Sequence, residues 1–358
     1  MINLFFIGGF LGSGKTTAIR QACTVLLENG IKAGVITNDQ GAMLVDTGFI
    51  REGGIPVSEV PKGCFCCNYD QLELGIQSLR KTDQPEVIFA ESVGSCTDLV
   101  ATVIKPMLKF HQEFKIVFTV FADACLLPVL LKGSRLFTDN VNYIYKKQLE
   151  EADIIIVNKI DLATSVQLQE IKLLFETRYS HKVVLYQNSL ERRDLNHWIT
   201  TLRTFQPAGS RRSLDIDYDI YGAGEAELAW LDEEIEIYTS KGNAGVAGTQ
   251  LINGIYSKSK EQRFSIGHLK FLLESGGHQE KISFTSMNQP AFSNKSEELK
   301  TANFVKVLVN ARLQTEPHLL EKLVSESINE LRTQEDCKVY EKRRMAFKPG
   351  YPKPTHRV

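Results

Sequence analysis

The sequence predicts an α/β domain on a mainly parallel sheet, followed by a smaller α+β domain of ferredoxin-like type. Three observations lead there. Short β-rich apolar runs alternate with helical patterns up to about residue 205. Several of those runs are apolar almost throughout, as strands covered on both faces must be. The pattern then changes across "QPAGSRRS", a stretch with the proline, glycine, serine and charge content of a linker. A chain of 358 residues is long enough for two separate cores.

In order, the expected strands of the first domain are "INLFFIGG" (2–9), "KAGVITN" (32–38), "EVIFAES" (86–92), "KIVFTVFAD" (115–123), "ADIIIVNK" (152–159) and "KVVLYQN" (182–188). Helices fit between them, among them "KTTAIRQACTVLLENG", closed by Gly30, and "TSVQLQEIKLLFETRY" from Thr164. The predicted division is 1–205 for the first domain, 206–214 for the linker and 215–358 for the second. The second reads as a helix over "YGAGEAELAWLDE", a strand over "IEIYTS" and a helix near 248–262. Strands follow over "IGHLKFLL", "KISFTSM" and "NFVKVLVNAR", then a helix at about 317–333 and an extended proline-rich end.

Composition narrows the function classes. Lys plus Arg total 42 against 43 for Asp plus Glu, so the chain lacks the basic field that draws a protein onto nucleic acid or anionic lipid. The apolar start has no basic segment before it and runs into Gly14-Lys15 instead of a cleavage site, and no window reads as a membrane span. A cytoplasmic location is expected. There, seven cysteines with three clustered argue for metal or thiol chemistry over disulfides.

"GGFLGSGKTT" contains Gly9-x4-Gly14-Lys15-Thr16, a Walker A pattern directly after an apolar strand and before a helix. Gly9, Gly12, Ser13 and Gly14 let backbone N–H groups approach phosphate oxygens. Lys15 neutralises β and γ phosphates, and Thr16, followed by Thr17, is a ligand for Mg²⁺. "ADIIIVNKID" ends a late strand with Asn158-Lys159-Ile160-Asp161, the NKxD pattern. A carboxylate at Asp161 accepts from guanine N1 and its exocyclic amine, whereas adenine offers no such donor pair, so GTP is preferred to ATP. Ser189 joins this nucleotide-binding set. The first domain is therefore expected to be a P-loop GTPase domain.

Glu91 arrives at the end of the strand in "VIFAESVGS", where an acid holds Mg²⁺ directly or through water. Asp39 ends the second strand and either orders water or Mg²⁺ near the γ-phosphate or forms a turn with Asn38. Lys15, Thr16, Asp39 and Glu91 are the candidate catalytic residues.

"EVPKGCFCCNYD" places Cys64, Cys66 and Cys67 within four positions. Thiolates suit Zn²⁺ or Co²⁺, and tetrahedral coordination takes about four donors. Such spacing cannot point one way from a helix or strand, so a loop is expected. Its place between the second and third major strands is where nucleotide-sensitive switches lie. A transferable or regulatory ion, a fixed structural ion and three plain thiols are all compatible with the spacing. Cys23, Cys125 and Cys337 read as small buried hydrophobes. Cys96, beside the expected Mg²⁺ acid, is a candidate for the metal shell.

Together, Walker A, CxCC after Gly63, Glu91-Ser92-x-Gly94 and NKxD resemble the CobW-like branch of the SIMIBI P-loop GTPases, related to UreG and HypB. The resemblance implies a GTP-dependent metallochaperone that holds metal at the CxCC cysteines and delivers it to a metal-dependent client on hydrolysis. The alternatives are a P-loop kinase or phosphotransferase, which leaves NKxD and the cysteines without a role, and a GTP-regulated binding module with structural zinc. Two departures stand out. The family's Asn-Glu-Phe-Gly-Glu is "NDQGA" here, with Asp39 and Ala42 in the places of the two acids, so Asp46, Cys96 or the nucleotide would complete the metal shell. The histidine-rich run of many relatives is missing, which argues against metal storage. No arginine finger is assignable from Arg20 or Arg51, so slow turnover is expected, with a client or homodimer partner supplying the missing group.

Overall fold

The computed structural model describes residues 2–41, 45–131, 136–207, 211–286 and 289–358. Ala42 and part of the expected linker lie outside the described residues. Two compact units emerge. The first contains Met1–Gln40, Ile50–Gly224 and Tyr351–Val358, and the second Gly41–Phe49 and Glu225–Gly350. This division differs from the expected one in physical detail. Residues 41–49 group with the second unit, while the helix Tyr218–Ala226, through Gly224, and the segment 351–358 group with the first.

The first unit is built on seven parallel strands: β1 (Ile2–Gly9), β2 (Ala33–Asn38), β3 (Val57–Val60), β4 (Val87–Glu91), β5 (Phe114–Asp123), β6 (Ile154–Asn158) and β7 (Val183–Gln187). Their order is β3-β2-β4-β1-β5-β6-β7. Strands β2, β4 and β6 are buried at every position, which accounts for sequences that stay apolar up to their carboxyl ends. The edge strand β3, four residues with two charged or polar positions, had no apolar signal and was not among the expected elements. Trp198, from the helix Arg192–Thr204, packs against Phe89 and Phe121 at ring distances of 5.8 and 5.1 Å, closing one face of the sheet. The parallel registers align Ile7 with Glu91, Thr37 with Glu91 and Asp123 with Asn158. The polar residues thus gather at the carboxyl ends of the strands, where open α/β sheets bind ligands.

The second unit carries an antiparallel sheet of β8 (Leu228–Thr239), β9 (Ser265–Ser275), β10 (His278–Phe284), β11 (Phe304–Gln314) and β12 (Cys337–Phe347), ordered β10-β9-β11-β8-β12. Helices Ala244–Glu261 and Pro317–Arg332 pack on it. Without the β10 edge, the succession is the split βαβ pattern of ferredoxin-like folds, as expected. One expected helix is corrected. "LAWLDE" opens β8, because Ala229, Leu231, Ile235 and Ile237 fill the core from one face of a strand. Among the described residues no helix is long and apolar enough to cross a membrane.

Inside this unit Arg312 and Asp232 are both fully buried and paired at 2.8 Å, with the guanidinium 4.0 Å over the Trp230 ring. Removing one partner strands the other charge. Asp232→Ala is expected to cost about 3–5 kcal/mol, measured by urea unfolding, whereas a surface pair such as Lys322–Glu326 should give at most about 1 kcal/mol.

Candidate functional site

The loop after β1 is shaped for close backbone approach. Gly14 has φ +93°, and a Cβ there would collide with the Asn158 side-chain amide. The helix Lys15–Glu28 starts immediately afterwards with no acidic residue in its first turn, leaving its positive N-terminal end for an anion. Lys15 is buried, and its ammonium donates to the carbonyls of Gly9 (2.6 Å) and Phe10 (3.2 Å). Thr16 Oγ1 donates to Glu91 Oε1 at 2.8 Å, so the two expected Mg²⁺ residues already face one another. Ser13 is buried and Thr17 half-buried beside them.

Segment 158–161 is tied to the same loop. Asn158 Nδ2 donates to the Ser13 carbonyl at 2.9 Å, while its Oδ1 accepts from the Ser189 hydroxyl (2.7 Å) and N–H (3.2 Å). Lys159, at φ +62°, donates to the Gly12 carbonyl and to Asp123 Oδ2, both at 2.7 Å. Asp161 is exposed in the short 3₁₀ turn that follows, open to a base. Asp123 escaped the sequence reading; the one available signal was an acid at a strand's carboxyl end. Arg20 and Arg51 pair with Glu52 and Glu59, so the structure gives neither a place at the phosphates.

The three cysteines form a turn at the head of the helix Tyr69–Thr82. Cys67 and Asn68 donate their N–H groups to the Cys64 carbonyl at 3.1 and 2.9 Å. The sulfur of Cys64 lies 2.7 Å from that of Cys66 and 3.3 Å from that of Cys67, with 3.7 Å between Cys66 and Cys67. Cys64 and Cys66 are buried, and Cys67 is half-buried. Hydrogen bonds with Cys66, then Cys67 and Cys96, hold Cys64 well below the ordinary thiol range. The same sharing pushes Cys66 well up and Cys67 up to about 11. Cys64 is the sulfur readiest to ionise, and a soft cation would displace the remaining protons. The donor set fits zinc or cobalt: three soft sulfurs, all within 4.8 Å of one another.

Asn38 was underread in the sequence. Its amide donates to the Val60 (2.8 Å) and Gly63 (2.6 Å) carbonyls and its oxygen accepts from Phe65 N–H (3.0 Å), fastening the cysteine turn to the end of β2. Asp39, half-buried, continues the fastening through its backbone: its N–H donates to the Val60 carbonyl, and its carbonyl accepts from Gly63, each at 3.4 Å. Asn38→Ala should raise hydrogen exchange across residues 62–68 and weaken metal binding about tenfold or more, in line with losing a group that orients metal ligands. Unchanged exchange would remove Asn38 from this role.

Asp46, weighed above as a metal ligand, is committed elsewhere. Its oxygens pair with Lys270 (2.5 Å) and Lys281 (2.8 Å) within the second unit; although burial opposes ionisation, these lysines hold the carboxyl well below its usual range. Cys23 and Cys337 are buried as expected, whereas Cys125 is half-buried and its sulfur meets the Leu162 carbonyl at 3.4 Å.

Residues 3–184 match the CobW/HypB/UreG nucleotide-binding domain. The chain belongs to this family. Among curated relatives of this CobW/HypB/UreG protein, the zinc chaperone YeiR of Escherichia coli K12 is 30% identical over 171 residues, covering 46% of this chain and 48% of that one. The zinc chaperone CobW of a Sinorhizobium species is 27% identical over 206 residues, covering 51% and 57%. The zinc chaperone YjiA of Escherichia coli K12 is 28% identical over 173 residues, covering 45% and 50%. The chain thus spans about half the length of the curated relatives it matches.

Glu151 is a further polar group of this region. It accepts from Thr97 Oγ1 (3.0 Å) and Val100 N–H (3.1 Å), and burial raises it from 4.5 to about 7. Between those values the folded chain holds a proton that the unfolded chain has lost. Stability should therefore fall as pH rises from 4.5 to about 7 and level off above. Glu151→Gln should flatten that part of the profile in thermal melts.

Proposed function

We propose that this protein binds and hydrolyses GTP and uses the nucleotide state to hold and release a transition-metal ion, zinc or cobalt, for a client protein. The carrying observation is that the thiol turn is fastened to β2 through Asn38, while the adjacent strand β4 delivers Glu91 to Thr16 of the phosphate loop. One sheet edge therefore supports both sites. The names of the three curated relatives described above, each a zinc chaperone, agree with this reading.

On nucleotide binding, Lys15 would exchange its two carbonyl partners for phosphate oxygens, and the loop amides would take the remainder. Thr16 and Glu91 would hold Mg²⁺, which spreads the β and γ phosphate charge. Asp39 would position the water, and Asp161 would read guanine. Hydrolysis of GTP with water gives GDP and phosphate, and the γ-phosphate's departure relaxes the loops it ordered. Among the described residues the contacts above bring no arginine to the phosphate loop, so turnover alone is expected to be slow, with a client or second copy raising it. A cytoplasmic site of action suits the reduced thiols.

The test loads the protein with Zn²⁺ and GTP and follows metal appearance on a fluorescent chelator alongside phosphate release. The proposal expects the two to rise together, with much slower metal release for a non-hydrolysable analogue. Equal release from both nucleotides would refute it.

A further inference from the structure

Besides Asn38, the proline-rich stretch Tyr351–Val358, which belongs to the first unit, also holds the cysteine turn. Its Lys353 N–H donates to the Cys67 sulfur at 3.3 Å. Its Thr355 N–H donates to the Cys66 carbonyl at 2.8 Å, and Thr355 Oγ1 to the Cys67 carbonyl at 3.4 Å. We propose that this stretch is a positioning strap for the cargo ion, in which the Lys353 N–H is the hydrogen-bond donor that serves the metal-bound Cys67 thiolate. This inference rests on the reading of the chain as a metal carrier.

The local sequence suits that task. In "YPKPTHRV", Pro352 and Pro354 have fixed φ and bias Tyr351 and Lys353 towards extended backbone. A chain so restricted has less freedom to lose when it is held in place. Prolines carry no N–H, so the first two donors after Tyr351 are Lys353 and Thr355, and both go to the cysteine turn.

The strap is anchored beyond the turn as well. The His356 ring meets the Tyr69 ring edge-on at 4.8 Å and lies 5.7 Å from that of Phe110. Arg357 Nε donates to Asp98 Oδ2 at 2.9 Å, and the Val358 N–H to the Ala101 carbonyl at 3.0 Å. Asp98 is fully buried at φ +62°, and the Tyr218 hydroxyl also donates to its Oδ2, at 2.6 Å. These contacts keep the Lys353 N–H on the sulfur. A thiolate accepts a hydrogen bond more strongly than a thiol, because the acceptor is charged. Three thiolates on a divalent ion leave one excess negative charge, and a fixed donor offsets part of it, as partners behind metal ligands do.

Lys353→Pro removes the N–H and keeps an extended backbone, whereas Lys353→Ala keeps the N–H and removes the side chain. Each variant is compared with wild type by Co²⁺ spectra and by Zn²⁺ affinity in chelator competition, with Mg²⁺ and a GTP analogue. In Lys353→Pro the sulfur-to-cobalt band should move to longer wavelength, since a thiolate without its donor gives up charge more readily. Zinc affinity should fall about tenfold or more. Lys353→Ala should match wild type. An unmoved band in Lys353→Pro, whatever its affinity, or an equal shift in Lys353→Ala would overturn the proposal while leaving nucleotide-dependent carriage intact. Wild-type protein with no sulfur-to-cobalt band would overturn both. Should Lys353→Pro fail to fold, hydrogen exchange of the wild type decides: zinc should slow the Lys353 and Thr355 amides, and unchanged exchange there would overturn the strap.

Discussion

Lys15→Ala should lower GTP hydrolysis by ~10²–10³-fold, the scale on which removing one preorganised charge-stabilising donor acts. The lysine is buried, and its ammonium is held by the Gly9 and Phe10 carbonyls, aimed along the loop before any phosphate arrives. Binding should suffer as well, because this is the loop's own cation at the β and γ phosphates. Single-turnover hydrolysis and nucleotide titration separate the two losses. Far-ultraviolet circular dichroism should be unchanged, since the side chain carries little of the core packing. A variant that hydrolyses GTP at the wild-type rate would place the reaction elsewhere.

The second large effect is at the cysteines. Cys66→Ser with Cys67→Ser removes two soft donors from one cluster, and zinc affinity should fall by more than ~100-fold, beyond what losing an outer-shell partner costs. GTP binding should persist, because neither sulfur contacts the phosphate loop in the hydrogen bonds described above. Its metal dependence should vanish. A staple would instead hold zinc equally tightly whichever nucleotide is bound.

Much of this was readable from sequence where residue type alone carries the physics. Strands covered on both faces are mostly apolar, so β1, β2, β4, β5 and β6 stood out, while β7, a partly buried edge strand, showed itself by its Val-Val-Leu run. The Walker A and NKxD residues announced themselves because the roles proposed for them, backbone approach to phosphate and a carboxylate for guanine, each demand particular side chains. What escaped depends on partners distant in the chain. Strand β12, "CKVYEKRRMAF", is an edge strand that leaves most of its charged side chains exposed, as edges tend to, and so carried no apolar signal. "LAWLDE" read as helical, yet it is a strand whose Asp232 and Glu233 are buried, paired with Arg312 and Arg344. Asn38 looked like a strand end until its amide was seen to bind the loop of Cys64 through three hydrogen bonds. The proline-rich segment was expected to be extended, but not to bring Thr355 N–H within 2.8 Å of the Cys66 carbonyl.

The central claim is that nucleotide state sets metal affinity at the cysteine turn. The direct measurement is equilibrium Zn²⁺ and Co²⁺ affinity by chelator competition, with Mg²⁺ and either GDP or a non-hydrolysable GTP analogue, on wild type and the double serine variant. The account predicts tighter binding with the analogue, lost in the variant. Equal affinity in both nucleotide states would contradict it and leave the three thiols as a structural site in a GTPase with another output.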